Sequence, residues 1–290
     1  MKAIRKSTRL RQLIKAGCVA MPGAYNGGIA RLVDQAGFDA VYISGAGLAN
    51  ATVGVPDIGL LSLAEVAQLS GYIVRAVNIP VVVDADTGFG GPASVARAVR
   101  AFERIGLAGM HLEDQVFPKR CGHLAGKAVV TTDAMVRKIR AAVRARTDPD
   151  FLIVARTDAR AVEGFAAAVA RARAYLAAGA DAIFPEALET AREFREFAKQ
   201  VPAPLMANMT EFGRSPLLSV RQLAAAGYRM VLFPLTAFRV SMRVAEECLR
   251  DLYRRGTQRS WTGRMQTRAE LYELLGYDPI SGEFDRGGSS

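Results

Sequence analysis

Two groups of residues in the middle of the chain carry side chains suited to catalysis. The first group is acidic and consists of Asp84, Asp86 and, further along, Glu113. Carboxylates suit Mg²⁺, which takes few protein ligands and keeps waters or substrate oxygens around it. Because Asp84 and Asp86 are two residues apart, both side chains can face the same side of a strand. This group predicts a Mg²⁺ site that Mn²⁺ could also fill.

The second group is the run Lys119-Arg-Cys-Gly-His123. Positively charged neighbours favour the thiolate, so Cys121 is expected to ionise more readily than an ordinary cysteine. Gly122 gives this segment freedom to move. Together the two groups indicate metal-assisted chemistry on an acid rich in oxygen atoms.

The composition predicts one large domain. The chain has 290 residues, half of them hydrophobic, which suffices for one sizeable core. No apolar run reaches the length of about 18 residues that a membrane span needs. The three cysteines, Cys18, Cys121 and Cys248, lie far apart in the sequence, so we expect no disulfide framework and a reducing, cytoplasmic location.

The formal net charge of +10 raises the question of nucleic-acid binding. The basic residues are spread over helical stretches, and no zinc-ligand pattern or aromatic RNA-binding motif accompanies them. We therefore expect neither nucleic acid nor membrane as a partner, and a basic surface that attracts an anionic small molecule. The first 33 residues contain no acid. A mitochondrial presequence has such a composition, but a first helix leading into the first strand fits this segment better.

Short apolar runs recur along the chain between longer alanine-rich segments with helical spacing. We predict eight strands, at 19–21, 40–43, 81–84, 109–113, 151–155, 182–184, 204–207 and 230–233. Several helical segments end in a glycine before the next strand, at Gly37, Gly106, Gly179 and Gly227. Glycine at this position is typical of a helix that ends in a left-handed residue.

Eight such units predict an α/β fold, a (β/α)8 TIM-type barrel with additional C-terminal helices. We assign residues 1–280 to a single barrel domain and the polar residues 281–290 to a flexible tail. In such barrels the active site lies at the carboxyl ends of the strands. Here seven successive strand ends carry polar residues, beginning at Ser44, Asp84, Glu113, Arg156, Glu186, Asn208 and Thr236. Asp158 and Thr236 could instead cap the following helix, but the set as a whole predicts a binding rim.

At this point a family resemblance covers nearly the whole chain. It rests on Tyr42-Ile-Ser-Gly45, Asp84-Ala-Asp-Thr-Gly-Phe-Gly90, Glu113-Asp-Gln115, Lys119-Arg-Cys-Gly-His123, Ala155-Arg-Thr-Asp158, Phe184-Pro-Glu186, Asn208-Met-Thr-Glu-Phe-Gly213 and Met265-Gln-Thr-Arg268. The sequence resembles the methylisocitrate lyases of the isocitrate lyase and phosphoenolpyruvate mutase superfamily. The Lys-Arg-Cys-Gly-His run is specific to the lyase branch.

The resemblance implies a Mg²⁺-dependent carbon–carbon lyase. Its reaction would cleave 2-methylisocitrate to pyruvate and succinate, a step of propionate breakdown by the methylcitrate cycle. Isocitrate, 2,3-dimethylmalate and oxaloacetate remain alternative substrates, the last by a decarboxylase reaction. The resemblance also implies a homotetramer in which subunits exchange the helix predicted over residues 239–255. A barrel that has lost catalysis would have no use for the intact acidic and thiol groups.

The resemblance further implies a role for each matching residue. The metal residues are Asp84, Asp86 and Glu113. Cys121, His123, Tyr42 and Lys119 form the predicted catalytic set, with Cys121 as the acid that protonates the succinate carbanion. Either Tyr42 or a metal-bound water could be the base. The predicted substrate-binding residues are Ser44, Gly45, Ala46, Cys121, Gly122, Arg156, Glu186, Asn208, Met209, Thr210, Arg239 and Arg268. Phe184 and Leu232 are expected near the methyl group of the substrate.

Overall fold

The structure is a computed structural model that describes residues 4–120, 122–123 and 126–284. Its eight strands are β1 (Val19–Pro22), β2 (Val41–Ile43), β3 (Val81–Asp84), β4 (Gly109–Glu113), β5 (Leu152–Thr157), β6 (Ala182–Pro185), β7 (Met206–Asn208) and β8 (Met230–Phe233). Each lies at a predicted position, and the α/β fold class is confirmed. Strand β5 runs two residues further than predicted, because Arg156 pairs with both neighbouring strands and Thr157 pairs with β6.

Helices separate the strands. They are α1 (Lys6–Ala16), α2 (Gly27–Gln35), α3 (Gly45–Gly47), α4 (Leu63–Ala76), α5 (Pro92–Arg104), α6 (Thr132–Ala145), α7 (Ala159–Val162), α8 (Phe165–Ala177), α9 (Ala191–Gln200), α10 (Val220–Ala225), α11 (Thr236–Arg255) and α12 (Arg268–Leu275). A π-helical turn, Leu48–Val53, follows α3, and a 3₁₀ turn, Arg259–Arg264, precedes α12. The glycines at 37, 106, 179 and 227 all have positive φ, between 85° and 103°, as their predicted positions after helices require.

All the strand pairs are parallel. One sheet has the order β1-β8-β7 and the other has the order β2-β3-β4-β5-β6. Single parallel bridges join the two sheets at both seams, between Gly23 and Tyr42 and between Ile183 and Leu205. These bridges support the closed barrel predicted from the sequence. The consequence for function is that the carboxyl ends of all eight strands point the same way.

The space enclosed by the strands is filled with apolar side chains. Alternate strand residues such as Val82, Val154 and Met206 form one inner cluster, whereas their neighbours pack outward against the helices. Helix α1 places Leu10 and Ile14 in this inner cluster and so covers one end of it. The charged residues at the carboxyl ends of the strands therefore lie next to a close-packed apolar layer.

The C-terminal part of the described chain leaves the strands. Helix α11 is 20 residues long and buries none of its side chains, and it exposes apolar residues such as Val240, Leu249 and Tyr253. Helix α12 packs against α2. Residues 281–284 belong to a turn in which Phe284 bridges to Tyr277. Within the described residues, the helices are too short or too polar to cross a membrane.

The contact between β4 and β5 generates a test of the fold. A Cβ atom added at Gly109 would lie 2.6 Å from Leu152 Cβ and 2.7 Å from the Leu152 carbonyl oxygen. Backbone cannot give way as a side-chain tip can, so Gly109→Ala should lower the free energy of unfolding by about 1–3 kcal/mol. Urea titrations at matched protein concentration would measure the change. Gly17→Ala is the control, since that site is open and extended, and an equal loss in both variants would contradict the packing described.

Candidate active site

A small cavity of about 50 Å³ lies at the carboxyl ends of the strands. Eleven of the predicted site residues line it: Tyr42, Ser44, Ala46, Asp84, Lys119, Gly122, His123, Arg156, Glu186, Asn208 and Thr210. Leu232, expected near the substrate methyl, is also in the wall. Thus residues from distant parts of the sequence meet at one place, as the rim prediction requires.

Asp84 and Asp86 converge on one spot above the loop that follows β2. A Cβ atom at Gly45 would lie 3.1 Å from Asp86 Oδ1 and 3.2 Å from Asp84 Oδ2, so both carboxylates face the same point. The Gly45 amide donates to Asp84 Oδ2 over 3.3 Å. In the described part of the chain no three His, Cys, Asp or Glu residues are grouped tightly enough to hold a metal alone. Two oxygen ligands completed by waters or substrate are nevertheless what Mg²⁺ accepts, so the pair fits that ion.

Lys119 places a positive charge between the acidic residues. Its Nζ lies 2.6 Å from Asp86 Oδ1 and donates to Asp57 Oδ1 over 2.5 Å. The side chain is almost fully buried, so the two carboxylates compensate the cost of its desolvation. Burial and the Asp84 charge raise the pKa of Asp86 from 3.8 to about 6, although Lys119 opposes the rise. The site thus concentrates negative charge that a cation would stabilise.

Arg156 is the other central cation. Asp158 accepts hydrogen bonds from Arg156 Nε over 2.9 Å and from Nη2 over 3.2 Å. Glu113 Oε2 is 3.2 Å from Nε, and Glu186 Oε1 is 3.7 Å from Nη2. The guanidinium also lies over the Phe184 ring, 5.1 Å from its centroid. One cation therefore faces three buried carboxyl groups from three neighbouring strand ends.

The pKa values of the two glutamates near Arg156 shift in opposite directions. Burial raises the pKa of Glu113 well above its usual range despite Arg156 and Lys119, and both its oxygens lack a well-aligned donor among the described residues. Burial would likewise raise the pKa of Glu186, but Arg156, His123 and Lys127 outweigh it and lower that pKa. The surrounding cations thus favour the charged form of Glu186, whereas burial favours the protonated form of Glu113.

Gly122 and His123 lie against Glu186. His123 Nε2 is 3.0 Å from Glu186 Oε1, and His123 Nδ1 accepts a hydrogen bond from the Arg214 amide. A Cβ atom at Gly122 would lie 2.3 Å from both Arg156 Nη2 and Glu186 Oε1. Only glycine can bring the backbone so close to these charges. Cys121, the predicted general acid, lies outside the described residues.

Tyr42 and His111 form a buried pair beneath the acidic residues. Their Oη and Nε2 atoms are 2.7 Å apart, and the same Nε2 is 3.4 Å from Asp84 Oδ1. His111 Nδ1 has no partner in the described chain, so we assign the ring proton to Nε2, where two oxygens can accept it. Burial and the Asp84 charge raise the pKa of Tyr42 well above 10. The phenol therefore keeps its proton at neutral pH.

Four predicted substrate residues do not line this cavity. Gly45 contacts it only through the acidic pair, and Met209 is packed in the core with its sulfur accepting from the Leu218 amide. Arg239 lies at the rim, 3.6 Å from Glu211 and over the Phe212 ring. Arg268 begins the exposed helix α12, which packs against α2. Within a single chain, Arg156 lies beside the acidic residues and Arg268 does not.

Sequence reasoning missed Asp57, His111 and Lys127, and it left open whether Asp158 belongs to the rim or caps a helix. Asp158 does precede α7, but its side chain binds Arg156 and Lys127 and makes no cap hydrogen bond. The only signal for His111 was a polar residue inside an apolar strand. Asp57 and Lys127 carry no local signal, because their partners lie 62 and 31 residues away.

A family model described as phosphoenolpyruvate phosphomutase matches residues 10–253. The chain belongs to this family. Among curated relatives, the 2-methylisocitrate lyase of Aeropyrum pernix is 53% identical over 269 residues, which cover 92% of this chain and 86% of the relative. The phosphoenolpyruvate phosphomutase family thus extends over nearly the whole of the fold described above.

Two solved structures superpose closely on this chain. A crystal structure of 2,3-dimethylmalate lyase matches with a TM-score of 0.89 and 37% identity, covering 94% of this chain and 92% of that one. A phosphonopyruvate hydrolase, solved in complex with oxalate and Mg²⁺, matches with a TM-score of 0.85 and 32% identity over 94% and 95% of the chains.

The raised pKa of Asp86 gives a test of the site without any substrate. A carboxyl that holds its proton more tightly in the folded chain than in the unfolded one costs folding free energy as the pH rises from about 4 through about 6. In EDTA at pH 8, Asp86→Asn should therefore be more stable than the natural chain by about 1–3 kcal/mol. The gain should shrink towards pH 4. Urea unfolding would measure it.

Asp39→Asn, at an exposed position, is the matched control and should change stability by no more than about 0.5 kcal/mol at either pH. Loss of stability in Asp86→Asn at pH 8 would mean that the Lys119 ion pair outweighs the cost of burial.

Proposed function

We propose that this protein is a Mg²⁺-dependent carbon–carbon lyase that cleaves 2-methylisocitrate to pyruvate and succinate. One observation carries the proposal: a cavity at the carboxyl ends of the strands is lined by Asp84 and the buried Arg156, and Asp86 lies beside Asp84 at Gly45. The identity to a 2-methylisocitrate lyase over nearly the full chain supports the choice of substrate.

Asp84 and Asp86 would hold the metal, with Glu113 nearby. When bound there, Mg²⁺ would supply Lewis-acid polarisation of the hydroxyl and carboxylate oxygens at C2 of the substrate. The chain supplies the remaining binding. Arg156 offers a guanidinium for a second carboxylate, and the Gly122 backbone lies directly against it. Asn208 Nδ2, 3.3 Å from Glu186 Oε1, and Thr210 complete the polar wall.

The reaction breaks the bond between C2 and C3. The C2 hydroxyl loses its proton and becomes the ketone of pyruvate, and the electron pair of the broken bond passes to C3 and its carboxylate. We assign the protonation of C3, which yields succinate, to Cys121 on the strength of its basic sequence neighbours. Burial and the Asp84 charge raise the pKa of Tyr42, so its phenol keeps its proton. Tyr42 is therefore better suited to donate a hydrogen bond to a substrate oxygen than to act as the base. A water at the acidic pair is then the favoured base.

The finer features of the proposal rest on the same chain. Leu232 lies in the cavity wall, and Phe184 lies under Arg156, where each could contact the methyl group that distinguishes methylisocitrate from isocitrate. The uncovered apolar side chains of α11 support assembly with further copies, which we propose to form a homotetramer. We also propose a cytoplasmic location, because a reducing compartment would keep the Cys121 thiol in the free form that its assigned role requires.

Turnover assays test this proposal directly. With Mg²⁺ and 2-methylisocitrate the protein should form pyruvate and succinate in equal amounts, and EDTA should abolish the reaction. Isocitrate should have a kcat/KM about 10- to 200-fold lower, the range that one methyl group can supply. Asp84→Asn should lose activity, whereas the exposed Asp39→Asn should keep it.

Full turnover in EDTA would refute the role of the acidic pair. A higher kcat/KM for 2,3-dimethylmalate or oxaloacetate than for 2-methylisocitrate would refute the proposed substrate. It would not refute the role of the acidic pair.

A further inference from the structure

Lys127 is a buried cation that the reaction outlined above does not use. Its side chain is 1% exposed. Its Nζ donates to Asp158 Oδ1 over 2.7 Å and to the Gly122 carbonyl oxygen. A buried ammonium is costly unless it is paired, so both contacts are needed to hold the charge in place. Lys127 therefore joins two groups that themselves contact Arg156.

The first of these groups is Asp158. It binds Arg156 through both oxygens, and its amide donates to Asp114 Oδ1 over 2.9 Å, which fixes the backbone at the end of β5. Lys127 and Arg156 thus share Asp158 Oδ1. Without Lys127, the full negative charge of Asp158 would act on the guanidinium alone. Arg156 would then be held more tightly by the protein and would be less free to bind an external carboxylate.

The second group is the Gly122 peptide. The Cβ distances of 2.3 Å to Arg156 Nη2 and Glu186 Oε1 place the Gly122 backbone in direct contact with both charges. Lys127 holds the carbonyl of this peptide from the other side. The same ammonium thereby fixes the guanidinium through its counter-ion and the backbone that lies next to it.

We propose that Lys127 is a positioning residue for anion binding: it acts through Asp158 and Gly122 to keep Arg156 available to a substrate carboxylate. The inference rests on the proposed function in taking Arg156 as the anion-binding cation beside a Mg²⁺ site. It requires no particular substrate. It predicts that Lys127 and Arg156 are coupled in ligand binding, which a purely structural lysine would not be.

The experiment measures oxalate binding in the presence of Mg²⁺ by calorimetry, since a phosphonopyruvate hydrolase of similar structure was solved with these two ligands. Lys127→Met should weaken oxalate binding by about 10- to 100-fold, as expected when a charged hydrogen bond is lost. Arg156→Lys should weaken it to a similar degree. The double variant should lie within about threefold of Arg156→Lys, because Lys127 acts through Arg156.

The matched control is Lys6→Met. Lys6 is also a partly buried lysine that donates to two carbonyls, those of Val74 and Val77. These carbonyls lie before the start of β3, not at the carboxyl ends of the strands. This variant should lose thermal stability but keep its oxalate affinity within about twofold. If Lys127→Met fails to fold, Lys127→Gln takes its place in the cycle.

Two results would overturn the inference: a Lys127 variant that is less stable but binds oxalate normally, as the control does, or fully additive effects of the two substitutions. Oxalate binding needs no turnover. The result for Lys127 therefore stands apart from the assay of 2-methylisocitrate cleavage, and either can fail alone.

Discussion

The burial of one guanidinium among three carboxyl groups is the constraint on which the site depends. Arg156 at the end of β5 faces Glu113 from β4, Glu186 from β6 and Asp158 from its own strand end. A charge this deep is tolerated only when its partners are fixed in place. The parallel register, in which Glu113 pairs with Arg156 and Arg156 with Phe184, fixes them. Because β4, β5 and β6 are neighbours, Arg156 lies between Glu113 and Glu186.

The rest of the cavity follows from how these charges are balanced. Of the carboxyl groups around Arg156, Glu113 is the one whose pKa burial raises well above its usual range. A second acidic pair, Asp84 and Asp86, is stabilised by Lys119. Holding these carboxylates close together lowers the stability of the folded chain. A bound cation would offset that loss. A site that is costly to the empty protein and stabilised by its ligand is typical of catalytic centres.

Sequence reasoning predicted the strands because they contain short apolar runs, most clearly in β3, which is buried throughout. It predicted the acidic pair and Arg156 because strand ends in a parallel fold meet at one edge. It could not find Lys127 or Asp57, since each contacts the site through a loop whose path depends on tertiary packing. Arg268 shows the converse, because its predicted role came from resemblance alone and the chain places it on α12, away from the cavity.

The central claim is that an anionic substrate bridges Arg156 and a metal held by Asp84 and Asp86. A crystal structure of the Cys121→Ser variant with Mg²⁺ and 2-methylisocitrate tests it most directly. The account predicts a cation bound by both aspartates and a substrate carboxylate within hydrogen-bond distance of the Arg156 guanidinium. Substrate found instead in the neighbouring cavity of about 610 Å³, which Asp86 and Lys119 also line, with Arg156 bound only to its protein carboxylates, would contradict it.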